Sequence, residues 1–292
     1  MPLVSMKELL EDALRNKYAV GYFESWNLDS LEAVLEAAEE KSSPIIIGFG
    51  ASSLDQDWFD HRGLKFFAAL GKMAAKESKV PTGLILNEVK TLNQVKFGLE
   101  YGFNTVMMDS SHLPLEKNIE ITKEVVGMAH TFGASVEAQL GMVPDASEKQ
   151  REKPSFTKPE ETKIFVEETK VDALSISVGN EHLRTEGKSE INFDLIERIH
   201  TTTDTFLVIH GGSGLPPEGI KKMIDFGITK FNIGTILKKV YYETIKRECE
   251  HLGENIDYQL YVGSRKLEDI FFLARERIKD EVKKFIDLFL QK

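Results

Sequence analysis

The chain has 292 residues, 41% of them hydrophobic, which is enough for one large core, and α/β barrels reach this size as a single domain. Its net charge of −10, with no lysine or arginine cluster interleaved with aromatics, lacks the electrostatic attraction that nucleic-acid binding requires. One cysteine, Cys249, excludes an internal disulfide framework, no apolar run approaches the roughly 18 residues of a membrane span, and the start Met1-Pro2-Leu3-Val4-Ser5 reads as no signal peptide, so a cytoplasmic protein is expected.

Short β-branched runs alternate with amphipathic helical patterns along the whole chain, the mark of a parallel sheet covered by helices. Eight runs are predicted as strands: Tyr18–Phe23, Pro44–Phe49, Thr82–Asn87, Asn104–Asp109, Ala134–Gln139, Asp172–Val178, Thr205–His210 and Ile228–Ile233. Eight evenly spaced strand–helix units without a dinucleotide fingerprint favour closure over a doubly wound open sheet, so the fold class is an α/β (β/α)8 TIM barrel. Asn27-Leu28-Asp29-Ser30 and Leu215-Pro216-Pro217-Glu218 read as helix starts. The segment Met142–Glu161, with Pro144, Pro154 and Pro159, is the longest irregular excursion and a candidate lid. From Ser264 to Lys292 the pattern predicts one or two extra C-terminal helices whose apolar face carries Phe271, Phe272, Ile278, Val282, Phe285, Leu288 and Phe289. The organisation read from this is one barrel domain over 1–292 with a helical extension over 264–292.

In a closed parallel barrel the chemistry sits at the carboxyl ends of the strands. Those ends carry Glu24, the loop Gly48–Ser53, Asn87 with Glu88, Asp109, Glu137 with Gln139, Asn180 with Glu181 and His182, His210, and Asn232 to Thr235. Strand seven runs Val208-Ile209-His210 straight into Gly211-Gly212-Ser213-Gly214, glycines that let backbone N–H groups turn toward an anion such as a phosphate. His182 and His210, on neighbouring strands with acids opposite, favour zinc or a similar divalent ion. Glu88 is the choice for the third ligand, since two imidazoles and one carboxylate leave a coordination position open for substrate.

These residues resemble the class II, metal-dependent ketose-bisphosphate aldolases, the group that includes fructose- and tagatose-bisphosphate aldolases. The resemblance rests on Met1–Ser5 leading to Tyr18–Phe23, on Val106-Met107-Met108-Asp109-Ser110-Ser111-His112-Leu113-Pro114, on Val136-Glu137-Ala138-Gln139-Leu140-Gly141, on Val171–Gly179, on the glycine turn and on Phe231-Asn232-Ile233-Gly234-Thr235. It implies a barrel, usually homo-oligomeric and here expected as a homodimer or homotetramer, that binds a phosphorylated sugar. It also implies zinc, with manganese as an alternative, polarising a ketose carbonyl during reversible carbon–carbon cleavage through an enediolate. His182 and His210 fall on two family zinc ligands, Gly211, Ser213, Asn232 and Thr235 on phosphate and ketose contacts, and Asp109 on a secondary metal position.

The chain departs from the pattern where the family has an aspartate followed by a histidine, for here the pair is Asn87-Glu88. An amide has no titratable group, so Asn87 is left to orient a hydroxyl, and the base must come from Glu24, Asp109, Glu181 or Asp145, with Glu181 and Glu24 preferred. Gln139 replaces a glutamate, Met142–Ala146 an acidic glycine-rich lid, and Gly234 an aspartate that contacts substrate hydroxyls. Lys266 falls on the residue that reaches a neighbour's site for a second phosphate. Trp26 is either packing at the mouth or a wall that narrows the pocket. The chain therefore reads as a divergent lyase of this type. A metal-dependent sugar-phosphate epimerase or isomerase and a non-catalytic phosphate-binding paralogue are the alternatives.

Overall fold

The computed structural model describes residues 3–146, 155–184, 187, 189–253 and 256–291; Met1 and Pro2 of the opening motif and Pro154 of the candidate lid lie outside them. Eight parallel strands close into a barrel in chain order: β1 (Val20–Ser25), β2 (Ile45–Gly50), β3 (Thr82–Val89), β4 (Thr105–Met108), β5 (Ser135–Leu140), β6 (Ala173–Ile176), β7 (Phe206–Ile209) and β8 (Ile228–Ile233). Helices α1 (Met6–Asn16), α2 (Leu28–Lys41), α3 (Gln56–Trp58), α4 (Leu64–Glu77), α5 (Leu92–Tyr101), α6 (Leu115–Thr131), α7 (Pro159–Thr169), α8 (Phe193–His200), α9 (Pro217–Asp225), α10 (Thr235–His251), α11 (Tyr258–Tyr261) and α12 (Ile270–Phe289) complete the order. The fold class is the predicted (β/α)8 barrel.

Period-two alternation sorts each strand into two faces. Outward residues such as Phe23, Ile47, Leu84, Val106 and Ile209 pack under the helices, while Val20, Ile46, Ile85, Met107, Ala173 and Val208 form a separate inner cluster. Met6, Leu9, Leu10 and Ala13 of α1 join that inner cluster, so α1 covers the amino end of the barrel, started by a capping box between Ser5 and Glu8. The same parity continues toward the carboxyl ends, and two residues above Tyr22, Ile85 and Val208 it reaches Glu24, Asn87 and His210.

Several strand limits differ from the predicted ones. β1 lies two residues later, β4 stops before Asp109, β6 is shorter at both ends, and β3 runs past Asn87 to Val89. On β3, Leu86 pairs with Val106 and Val89 with Met108, so three steps on β3 match two on β4. The extra residue is a bulge, and Glu88 within it has φ of 53°, a left-handed conformation rare for a side chain of this size.

Asn27 caps α2 as predicted, with Ser30 completing the box, and Pro217 opens α9. Pro159 opens α7, which ends the irregular excursion three residues before its predicted limit of Glu161. The extension forms one long helix, α12, after the single turn of α11. It packs on α2, α9, α10 and β1, with Phe289 stacked on Phe231 at 4.9 Å between centroids. Its buried face is Ile270, Ala274, Ile278, Val282, Phe285, Ile286 and Phe289, whereas the predicted Phe271, Phe272 and Leu288 are only half-buried because they lie off that stripe.

Candidate active site

The bulge explains how two consecutive residues serve one site. In a regular strand Asn87 and Glu88 point to opposite faces; with Glu88 in the left-handed region, both line the same cavity at the carboxyl end of the barrel. Strain of this kind costs on the order of 1–3 kcal/mol and persists where surrounding contacts hold it. Here Ser52 donates to Glu88 Oε2 at 2.9 Å.

Glu88, His182 and His210 each present a ligand atom, and these atoms all lie within 4.8 Å of one another. His182 stands on the loop after β6, pinned by backbone bonds to Pro144 and from Ala146, so the start of the predicted lid is fastened to the metal-ligand loop. His210 follows β7, and Asn180 Nδ2 donates to its carbonyl at 3.0 Å. The Nε2 atom of His210 lies 2.7 Å from Glu137 Oε1, an acceptor that keeps a proton on Nε2 and leaves Nδ1 as the nitrogen able to coordinate a cation once its own proton is lost. Nδ1 is buried without a hydrogen-bond partner and stands 3.4 Å from Glu88 Oε1. An orphaned buried nitrogen beside a second imidazole and a carboxylate is the donor set a divalent cation takes.

Beneath the ligands lies a buried charge chain that sequence reasoning missed. Glu137 Oε2 is 2.8 Å from Lys230 Nζ, both residues are wholly inaccessible, and Lys230 donates onward to Asn232 Oδ1. Burial opposes the Glu137 charge, but Lys230 and His210 outweigh it and hold the carboxyl below its ordinary value. Burial likewise opposes a charged His210, yet the bond to Glu137 and the charge of Glu88 overcome it and push its pKa up to about 9. Burial lowers that of His182 despite Glu88 nearby. The signal for this chain was present: Glu137 and Lys230 interrupt apolar strands at inward positions, where an acid and a base in one barrel must meet.

One cavity of about 120 Å3 brings together Glu24, Asn87, Glu88, Glu181, His182, His210, Gly211, Ser213, Asn232, Gly234 and Thr235. Besides His210 Nδ1, Tyr22 Oη, Asn87 Oδ1 and Asn232 Nδ2 are buried there without partners, as expected of groups kept for a ligand. Gly211 has φ of 68°, and a Cβ there would stand 2.1 Å from the carbonyl of Glu181. Only glycine makes this turn. Gly212 starts the following short 3-10 turn and is buried against Ile233 rather than lining the cavity.

A second cavity of about 870 Å3 adjoins the first at Ser52, Ser53, Glu88, His182 and Leu183. It is lined by Asp109, Gln139, His112 and Asp145. Asp109 stands apart from the three-ligand cluster: its carboxylate accepts from Ser111 N at 2.8 Å and Gln139 Nε2 at 3.3 Å. Lys266 is exposed and lines neither cavity. The lysine that lines the first cavity among the described residues is Lys238, unremarked in the sequence, 2.7 Å from Glu24. Burial raises the Glu24 pKa, with Lys238 opposing. Glu181 is clasped by Arg184, and Trp26 packs edge-on against Tyr241.

The family model for class II fructose-bisphosphate aldolase matches residues 4–292. A fructose-bisphosphate aldolase of Staphylococcus aureus (strain Mu50) is 34% identical, with 97% of this chain and 96% of that protein covered. The fructose-bisphosphate aldolase of Geobacillus stearothermophilus is 37% identical over 80% of this chain and 82% of its own. Among solved structures, the YdjI aldolase of Escherichia coli K12 superposes with a TM-score of 0.82 at 28% identity, covering 99% of this chain and 97% of that one. The chain belongs to the class II fructose-bisphosphate aldolase family.

Proposed function

We propose that the protein is a metal-dependent aldolase that cleaves a ketose phosphate reversibly between two hydroxyl-bearing carbons. The observation that carries this reading is the convergence of Glu88, His182 and His210 to within 4.8 Å beside the Gly211 turn, in one cavity at the carboxyl end of the barrel. Zinc, or manganese in this carboxylate-containing set, fits the donors, with His210 engaging through Nδ1. When bound, such a cation supplies Lewis-acid polarisation of a ketose carbonyl.

The remaining work falls to the chain itself. Gly211, Ser213 and Thr235 receive the phosphate, the last at the start of the long helix α10. Asn232, its Oδ1 engaged by Lys230, offers Nδ2 to a ketose oxygen, and Asn87 offers Oδ1 to a substrate hydroxyl. Between the two preferred bases, Glu24 is favoured, because Glu181 is held by Arg184 from two nitrogens. Glu24 takes the proton of the hydroxyl on the carbon that becomes the aldehyde. The electrons of the broken carbon–carbon bond remain with the ketose fragment as its enediolate, and the same proton returns to that fragment's carbon to give dihydroxyacetone phosphate. Exposed Tyr242, Tyr258 and Leu267 support self-association as a homodimer or homotetramer. Lys266, beside Leu267, suits the expectation of a contact with a neighbour's site.

The test is a cleavage screen of zinc- and manganese-loaded protein over ketose mono- and bisphosphates, with products identified by mass spectrometry. Dihydroxyacetone phosphate plus an aldehyde, abolished in His210→Ala, is the expected result. A stereoisomer of unchanged mass would replace the lyase with an epimerase. Metal binding without turnover of any ketose phosphate would favour a non-catalytic phosphate binder.

A further inference from the structure

We propose that Lys238 and Glu24 form a phosphate-released latch: the substrate's phosphate draws Lys238 from Glu24, and only then is the Glu24 carboxylate free to accept a proton. The inference rests on the aldolase reading above and adds to it a ligand for the phosphate and the order of events. Glu24 Oε1 and Lys238 Nζ are 2.7 Å apart, and both residues line the small cavity that holds the Gly211 turn.

The place of the carboxylate is built by its neighbours. On β2 a Cβ at Gly50 would stand 2.9 Å from Glu24 Oε1, and after β8 a Cβ at Gly234 would stand 2.4 Å from Oε2. Gly50 on β2 and Gly234 just after β8 thus leave room for this one carboxylate, and Gly50 is in register with Asn87. Glu24 is confined, with its side chain 20% exposed, whereas that of Lys238 is 42% exposed and has room to swing.

Lys238 is three residues after Thr235 on the first turn of α10, so the two share one helix face. Among the described residues lining this cavity it is the sole lysine or arginine, facing three carboxylates, Glu24, Glu88 and Glu181. A phosphate seated at Gly211, Ser213 and Thr235 therefore meets Lys238 as the ammonium of the cavity wall, while the guanidinium of Arg184, whose side chain lies next to Gly214, is engaged by Glu181. With close to two negative charges it outcompetes a carboxylate for Lys238. Glu24 is then released from its lysine partner at the moment substrate is in place.

The test measures binding of inorganic phosphate and of dihydroxyacetone phosphate to the zinc-loaded protein by calorimetry, with steady-state cleavage kinetics alongside. Lys238→Met should weaken both ligands at least tenfold and raise KM, and Lys238→Arg should restore most of the affinity. Glu24→Gln should bind phosphate as tightly as the natural chain or several-fold tighter, since the competing carboxylate is gone, while kcat falls a hundredfold or more. Unchanged phosphate affinity in Lys238→Met, with cleavage intact in the natural chain, would overturn the latch and leave the aldolase reading standing. Failure of the natural chain to bind either ligand would overturn both.

Discussion

Replacing Glu137 by glutamine should perturb the proposed metal site without touching Glu88, His182 or His210. Glu137 accepts from His210 Nε2 at 2.7 Å through one oxygen and faces Lys230 Nζ at 2.8 Å through the other. A glutamine has one acceptor for these two donors. If its oxygen faces His210, its amide N–H2 meets the Lys230 ammonium; if it faces Lys230, the amide donates to Nε2 and drives the ring proton to Nδ1, where the metal must bind. Loss of such an outer partner weakens metal binding about 10- to 100-fold, or roughly 1.4–2.8 kcal/mol. Leaving a wholly buried lysine without its counter-charge destabilises the chain by about 3–5 kcal/mol, a fall in Tm on the order of 10 °C. Competition titration of zinc against a chelator and thermal melts of the metal-free protein read the two effects separately. The double variant Glu137→Gln with Lys230→Met should recover most of the Tm and part of the zinc affinity, because the amide oxygen, with one donor left to serve, can again accept from Nε2 although the carboxylate charge is gone. The reasoning fails if Glu137→Gln binds zinc within twofold of the natural chain and melts within about 2 °C of it.

Because Glu137 and Glu88 push the His210 pKa up to about 9, cation binding at Nδ1 should release a proton at neutral pH. Zinc affinity should rise about tenfold per pH unit between 6.5 and 8.5, measured with proton release in two buffers; a flat profile would contradict this. For the metal-free chain the sign is opposite: the raised pKa gives stability that is full below His210's ordinary 6.5 and is lost as pH rises through about 9, so the Tm difference from His210→Gln should shrink over that window. Gly211→Ala forces a Cβ to within 2.1 Å of the Glu181 carbonyl at a positive φ, which should cost more than about 1 kcal/mol and abolish phosphate binding, by melting and calorimetry; a tolerated alanine would refute the requirement for this turn. Arg275, 4% exposed, ties α12 to Glu32 and Glu36 of α2. These carboxylates are partly solvated, so Arg275→Met should lower stability by about 1–3 kcal/mol rather than the full buried-pair value, and an unchanged Tm would show the pairs to be incidental.

The barrel was legible because eight strands of like composition recur with helix starts marked by Asn27 and Pro217, and closure follows from their number. The His182 and His210 positions followed from strand ends, and the Gly211 turn from its glycines. What stayed hidden were features that depend on register. No local pattern announces the bulge at Glu88, because it is defined by the pairing of β3 with β4. The Glu137–Lys230 pair joins residues 93 positions apart, and Lys238 acquires meaning only once β1 and β8 are neighbours. The C-terminal helix was legible, but three members of its apolar face, Phe271, Phe272 and Leu288, were misplaced, because α12 packs on four elements at once and its buried stripe is set by all of them rather than by the spacing of its phenylalanines.

Position by position, the aldolase pattern loses acids at 87, 139 and 234; in space, the carboxylates at the first and last of these are redistributed. The strand position where the resemblance expects an aspartate carries Asn87, and the next one carries Glu88, so a negative charge moves by one residue from the base position into the ligand set, brought there by the bulge. Gly234 takes away another carboxylate, and the vacated volume holds the Glu24 carboxylate arriving from the adjoining strand β1, 2.4 Å from where a Cβ at 234 would lie. Under the proposed function these are linked exchanges. Restoring an aspartate at 234 alone would place two carboxylates in one volume, and like charges at that distance cannot both ionise. Gly234→Asp should therefore lower both Tm and kcat, and Gly234→Asp combined with Glu24→Ala should regain the Tm but not the cleavage, because the crowding is relieved while the base is gone; a double variant that cleaves as fast as the natural chain would refute the role given to Glu24.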